Sequence, residues 1–263
     1  MYRAELFQKS SVIAQRDAQQ VMDRVREMVK WKDNCNVLDI GCGTGNVTHD
    51  FLLPILPKST KVVIGVDKFA GTVEYARQHY GRRIVFEQMD IVYDTITNGE
   101  YYDHIFSFYC LPFIKEQDIA LKNIYKLLKP GGDFIFTCTV QCNLFEVGNA
   151  MSRVEKWNQY LVDYENFVCP FQFSSNPKEE LEKYLLNAGF NVAHLTIEAK
   201  EMMLPFQLFP EYIISHAPME LPIEFGVASL DVIRELKSDY INNDTGEFFH
   251  VKYQMIFGHA VKP

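Results

Sequence analysis

The run Val37-Leu38-Asp39-Ile40-Gly41-Cys42-Gly43-Thr44-Gly45-Asn46-Val47-Thr48 joins an apolar strand, an acid near its end and glycines at 41, 43 and 45. Glycine there lets backbone approach a ligand where a Cβ would collide, and Asn46 and Thr48 then open a helix whose free N–H groups face the same space. The third, later glycine of a dinucleotide fingerprint is missing. With no pyrophosphate to cradle, the loop suits a cofactor of amino acid plus nucleoside: S-adenosylmethionine, with S-adenosylhomocysteine as its product. Asp39, Gly41, Gly43 and Gly45 are the residues expected to hold it.

Further acids follow at strand ends. Residues 61–67 form a second β-branched strand ending in Asp67, with Lys68 beside it, at the distance from a glycine loop where a carboxylate meets ribose hydroxyls. Residues 84–91 read as a third strand, in which Asp90 would accept from an adenine amino group while Ile91 packs on the ring. Tyr93, Asp94 and Thr95 offer other polar candidates. Residues 102–108 are a fourth strand whose Ser107 and Phe108 line the amino-acid part of the cofactor. Arg16, upstream, either pairs with the cofactor's carboxylate or with its neighbour Asp17. A strand-end acid that only caps the following helix is the plain alternative for Asp67 and Asp90.

These residues need a scaffold, and the chain supplies one. Strand and helix alternate from residue 36 to about 139, and residues 127–132 end a helix and turn into a fifth strand at 133–137. Such alternation predicts a parallel sheet with helices on both faces and ligands at the carboxyl ends of its strands. The order of marks resembles the class I S-adenosylmethionine-dependent methyltransferases. That likeness implies a Rossmann-like α/β fold of seven strands, mostly parallel with an antiparallel last strand. Ala18, Val21, Met22, Val25, Met28 and Val29 recur at helical spacing, predicting an amphipathic helix over 14–31 that packs on the sheet edge or roofs the cofactor. Its exposed residues would serve a homodimer interface as readily. Residues 189–197 and 251–258 read as closing strands, an antiparallel pair. The expected arrangement is one structural domain: an N-terminal helical lid (1–35), a cofactor-binding core (36–139), and apolar helices capping the substrate together with the closing strands (140–263).

Composition narrows the partners. A net charge of −8 and short Lys/Arg clusters argue against nucleic acid, whose phosphates need a basic face. The acceptor is then a small molecule. No segment approaches bilayer length, and the N-terminus lacks a leader-like apolar run, so no membrane insertion and a cytoplasmic location are expected. The six cysteines lie mostly in apolar strands without histidines at ligand spacing, which predicts reduced thiols and no metal. The scattered histidines receive no role.

Two stretches do not fit a plain sheet. Residues 140–178 carry Trp157, Tyr160, Phe167 and Phe171, and residues 202–227 carry Met202, Met203, Phe206 and Phe225 among other large apolar side chains. Core packing explains any one of them. Their density beside a cofactor loop is also what a pocket for a long apolar ligand needs. Trp157, Tyr160, Phe167, Phe171 and Phe206, with Phe113 ahead of them, are the substrate candidates.

Leu6-Phe7-Gln8-Lys9-Ser10, Gln15-Arg16-Asp17-Ala18, residues 106–111, residues 123–128, Lys156-Trp157 and residues 167–171 together resemble the insect juvenile hormone acid methyltransferases. The likeness spans nearly the whole chain and is vaguest after residue 200. It implies methyl transfer from S-adenosylmethionine to the carboxylate of an apolar acid: farnesoic acid, its epoxide or a fatty acid. Two departures stand out. A Gln common in the family is replaced by Ala14, and a His-Trp pair by Pro112-Phe113, at places the resemblance associates with holding the acid. Neighbouring Gln15 points about 100° away on a helix. A fatty or terpenoid acid, with a pKa of roughly 4.3, is already ionised at neutral pH and needs no general base. Positioning alone supplies about 7–11 kcal/mol of the barrier, and a lost hydrogen bond to a charge costs about 1.5–3 kcal/mol. Weakened carboxyl methylation is therefore expected. The alternative is a cofactor- and terpenoid-binding protein with little or no turnover.

Overall fold

The computed structural model describes residues 3–97, 99–162, 164–217 and 219–263, apart from the side chains of Val12, Asn166 and Phe167. Two helices open it, α1 (Ala4–Ser10) and α2 (Val12–Met28). The alternating part follows as β1 (Asn36–Ile40), β2 (Val62–Asp67), α3 (Ala70–Tyr80), β3 (Val85–Gln88), β4 (Tyr102–Phe108), α4 (Gln117–Leu127) and β5 (Leu128–Cys142). Then come α5 (Leu144–Met151), α6 (Glu155–Asn158), α7 (Pro177–Ala188), β6 (Asn191–Pro205), α8 (Phe209–His216), α9 (Ile223–Leu236), β7 (Tyr240–Asn243) and β8 (Gly246–Val261).

The strands form one sheet in the order β3-β2-β1-β4-β5-β8-β6. The pairs among β1 to β5 are parallel, whereas β8 runs antiparallel to both neighbours. This is the seven-stranded arrangement that the sequence predicts, with the short β7 added as a hairpin partner of β8. The closing strands are longer than their apolar cores suggest, pairing from Asn191↔Val261 to Pro205↔Phe248. Met202 and Met203, read from sequence as part of an insertion, belong to this extension.

Alternation of side chains gives the sheet two apolar faces. Val37, Val63, Phe106, Ile135, Met255 and Phe257 point to one, where Val21, Met22 and Val25 of α2 and Val73 and Ala76 of α3 cover them. Leu38, Ile105, Phe134, Phe136 and Ile256 point to the other, covered by Leu121 and Ile124 of α4 and Leu181 and Leu185 of α7. The helix predicted after the glycine loop is short and irregular, a wide turn at Thr48–Leu52 running into a tight one at Leu53–Ile55. Pro54 and Pro57 stop it by removing donors and clashing with the preceding turn. Among the described residues no helix is long and apolar enough to cross a membrane.

Candidate active site

The glycine loop leaves the carboxyl end of β1 with Gly41, Gly43 and Gly45 all at positive φ (+73°, +55° and +84°). Gly41 is also the most crowded. A Cβ built on it would lie 2.4 Å from both Cβ and Sγ of Cys110, so the loop and the segment after β4 approach each other as only glycine allows. Burial, and then the nearby Asp67, push the Cys110 thiol up to about 12, so it keeps its proton.

Asp39 is fully enclosed beneath the loop. Thr48 Oγ donates to its Oδ2 at 2.5 Å, while Oδ1 has no partner among the described residues. Burial raises its pKa to about 7, against the Thr48 hydrogen bond and with the help of Asp67. Asp67 turns its carboxylate into the loop, accepting from Gly43 N–H at 3.1 Å and Phe69 N–H at 3.0 Å. Burial raises its pKa although both N–H groups favour the charge. Beside it opens a cleft of about 600 Å³ lined by Lys68, Phe69, Gln88, Asp90, Tyr93 and Asp94. The positive-φ glycine loop, the orphaned Asp39 oxygen and a cleft that begins at Lys68, next to Asp67, suit the amino-acid and nucleoside parts of S-adenosylmethionine.

Asp90 lines the cleft, but its Oδ1 already caps a turn, accepting from Val92 N–H at 2.9 Å. Ile91 departs from expectation. Its side chain is 5% exposed and lies in the apolar core under α4, so it does not present a surface to a ring. Ser107 is buried and donates to the Ile40 carbonyl at 3.0 Å, tying β4 to β1. Phe108 is buried on the α2 face, stacked on Phe106 at 5.9 Å.

Of the two partners expected for Arg16, the structure shows Asp17, not a free guanidinium. Its Nε and Nη2 reach Asp17 Oδ1 at 3.2 and 3.1 Å, Nη2 reaches the Tyr253 hydroxyl at 2.7 Å, and Nη1 the Glu201 carbonyl at 3.1 Å. Asp17 itself is wholly buried and is the centre of a network that the sequence did not reveal. The hydroxyls of Tyr109 and Tyr253 both donate to its Oδ2, and Lys200 Nζ lies 3.3 Å from Oδ1. Burial would raise its pKa. The two hydroxyls, with the charges of Lys200 and Arg16, outweigh that and hold it below the usual value. Tyr109 is placed for this by left-handed backbone at φ +58°.

Helix α1, not separated from α2 in the sequence reading, lies across the loop. A Cβ on Gly43 would touch the Phe7 ring at 3.7 Å, and Gln8 Oε1 accepts from Thr44 Oγ at 2.8 Å. The same helix meets α8, where Ser10 and Ser215 share a hydroxyl hydrogen bond at 2.6 Å and Phe7 packs against His216 at 4.9 Å. Burial lowers the His216 pKa to about 4.

Trp157 and Phe206 are buried in the same apolar cluster as Ile13 and Phe108, with Leu161, Leu204, Tyr212 and Phe225. Phe171 is not among them. It is buried in the core of the opposite sheet face with Leu181 and Leu185, so it cannot line the same pocket. Tyr160 is 38% exposed and Phe113 45% exposed, at the surface rather than within the cluster. The side chain of Phe167 lies outside the described residues. Ala14 is half-buried, and Gln15 directs its amide to Ser11 Oγ at 2.9 Å. All six cysteines are unpaired thiols.

A family model described as methyltransferase domain matches residues 31–189. A Bombyx mori protein described as juvenile hormone acid O-methyltransferase is 30% identical, covering 96% of this chain and 94% of its own. Its counterpart of the same description in Drosophila melanogaster is 29% identical over 100% of this chain and 93% of its own. Among solved structures, the YcgJ protein of Bacillus subtilis superposes with a TM-score of 0.61 over 92% of this chain and 98% of that one; at 15% identity the likeness is one of fold.

Proposed function

This chain is a divergent member of the juvenile hormone acid O-methyltransferase family and an S-adenosylmethionine-dependent methyltransferase, and from that premise we propose that it methylates the carboxylate of an apolar acid. The acid class is a sesquiterpenoid, farnesoic acid or juvenile hormone acid, or a fatty acid. One observation carries the reading. The apolar cluster of Trp157, Leu204, Phe206 and Phe225 is continuous with Ile13 of α2 and Phe108 of β4, beside the loop that α1 covers.

In this reading residues 1–35 close over the cofactor, 36–139 bind it, and 140–263 cap the acceptor and complete the sheet. Asp67 and the loop amides hold the nucleoside, and Asp90 borders its base. Bound there, S-adenosylmethionine supplies an electrophilic sulfonium methyl group. An ionised carboxylate meets such a group without giving up a proton, so the chain's task is to align it and exclude water. Acceptors that must lose a proton fit less well, because His216, with a pKa of about 4, is a weak base at neutral pH. A net charge of −8 supports a small-molecule acceptor over nucleic acid. Ala14 and Phe113 offer no donor to the acid, which supports a turnover reduced about ten- to a hundred-fold.

The test is incubation with methyl-labelled S-adenosylmethionine and a panel of farnesoic, juvenile hormone and medium-chain fatty acids, with the labelled ester identified by mass. Ester that tracks protein concentration supports the reading and names the acid. Ala14→Gln with Phe113→Trp should then raise turnover. No ester from protein that binds S-adenosylhomocysteine would favour a carrier of acid or ester instead.

A further inference from the structure

A purine taken up by the cleft beside Asp67 needs a flat apolar surface to lie on. Ile91, from which the sequence predicts that surface, is buried under α4 and leaves the task to another side chain. Two aromatic rings line the cleft, Phe69 and Tyr93. Phe69 already has a cation on its ring, the Lys68 ammonium at 5.2 Å from the centroid. Tyr93 is 73% exposed, and among the described residues no other ring packs on it.

An exposed ring is ordinarily free to turn, but this one is held at both ends. Its backbone lies in a turn closed by two acids. Asp94 N–H donates to the Asp90 carbonyl at 3.0 Å and Asp90 N–H to Asp94 Oδ2 at 2.8 Å, while the N–H groups of Val92 and Tyr93 reach Asp90 Oδ1 at 2.9 and 3.4 Å. At its tip the Tyr93 hydroxyl donates to Oε1 of Glu116, the residue that opens α4, at 3.1 Å. The ring thus runs from the turn after β3 to the start of α4 along the border of the cleft. Fixing it before a ligand arrives lowers the ordering cost of stacking. The chain leaves the ring uncovered, so the contact area that would offset fixing it must come from whatever enters the cleft.

We propose that Tyr93 is the stacking surface for the nucleobase of S-adenosylmethionine, with Glu116 positioning its ring. The inference rests on the cofactor reading of the cleft. Its test is calorimetric titration of the full chain with S-adenosylhomocysteine and with S-ribosylhomocysteine, which keeps the amino-acid and ribose parts and lacks the base. The unmodified protein should prefer the former. Tyr93→Ala should weaken S-adenosylhomocysteine binding about five- to a hundred-fold, leaving S-ribosylhomocysteine affinity and the thermal melting point unchanged. Tyr93→Phe keeps the ring and should lose far less. Unchanged affinity in Tyr93→Ala, equal weakening for both ligands, or a loss in Tyr93→Phe as large as in Tyr93→Ala would overturn the stacking role alone. Unmodified protein that binds neither ligand, or both equally, would overturn the cofactor reading of the cleft and this inference with it.

Discussion

The hydroxyl of Tyr109 lies 2.5 Å from Oδ2 of Asp17, so a residue in left-handed backbone just past β4 holds a charge carried 92 positions earlier on α2. The bond joins the N-terminal helices to the end of the sheet where the site lies. Tyr253 and Lys200 add β8 and β6 to the same anchor.

Removing one donor should differ from removing the charge. Tyr109→Phe leaves the carboxylate with its other partners and should cost about 1–3 kcal/mol. Asp17→Asn removes the buried charge that Arg16 and Lys200 share and should cost more, about 3–5 kcal/mol. Urea denaturation of both variants would measure this; a larger loss from Tyr109→Phe would contradict the network.

Asp39 should make stability depend on pH. Its folded pKa of about 7 exceeds the ordinary 3.8, so between these values the folded state holds a proton that the unfolded chain has lost. The contribution is fully present below 3.8 and is lost as pH rises toward 7, by no more than about 4 kcal/mol. Asp39→Asn should flatten that fall, leaving the part due to Asp67, whose pKa is raised in the same sense. Thermal melts of both proteins across this range are the measurement, and identical slopes would count against the assignment.

The loop glycines should not be equivalent. Gly41→Ala places a methyl group 2.4 Å from Cys110 and should abolish S-adenosylhomocysteine binding as well as destabilise the fold. Gly43→Ala meets only the Phe7 ring at 3.7 Å and should suffer mainly the strain of its positive φ, about 1–2 kcal/mol. Equilibrium dialysis against labelled S-adenosylhomocysteine would separate the two.

Asp67→Asn keeps the shape of the side chain and removes its charge. If the carboxylate accepts from ribose hydroxyls, affinity for S-adenosylhomocysteine should fall about ten- to a hundred-fold, with little change in fold stability because burial already disfavours the charge. Affinity that stays the same would relegate Asp67 to bracing the loop through Gly43.

The cofactor side of this site was legible because its signal is local. A strand, an acid and spaced glycines occupy a dozen consecutive residues, and the acids at 67 and 90 mark the next two strand ends. The Asp17 network was not legible, since its members come from α2, the end of β4, β6 and β8 and meet only in the fold. A trace existed. Ile13, Asp17, Val21 and Val25 follow one another at four-residue spacing, and a carboxylate in that apolar row is a buried charge that needs partners. Ile91 and Phe171 misled for the converse reason: period and composition cannot say which face of the sheet a large side chain enters. Helix α1 escaped notice because its seven residues bury no side chain fully and carry no apolar stripe.

That weakness of α1 has its own consequence. So short a helix is not stable alone and owes its shape to what it rests on, which is the glycine loop on one side and α8 on the other. Whatever firms one support firms the helix for the other. On the proposed reading, with an acid bound on the α8 side, occupancy of the two sites should be thermodynamically linked, and linkage is reciprocal: the factor by which the acid tightens the nucleoside would be the factor by which the nucleoside tightens the acid.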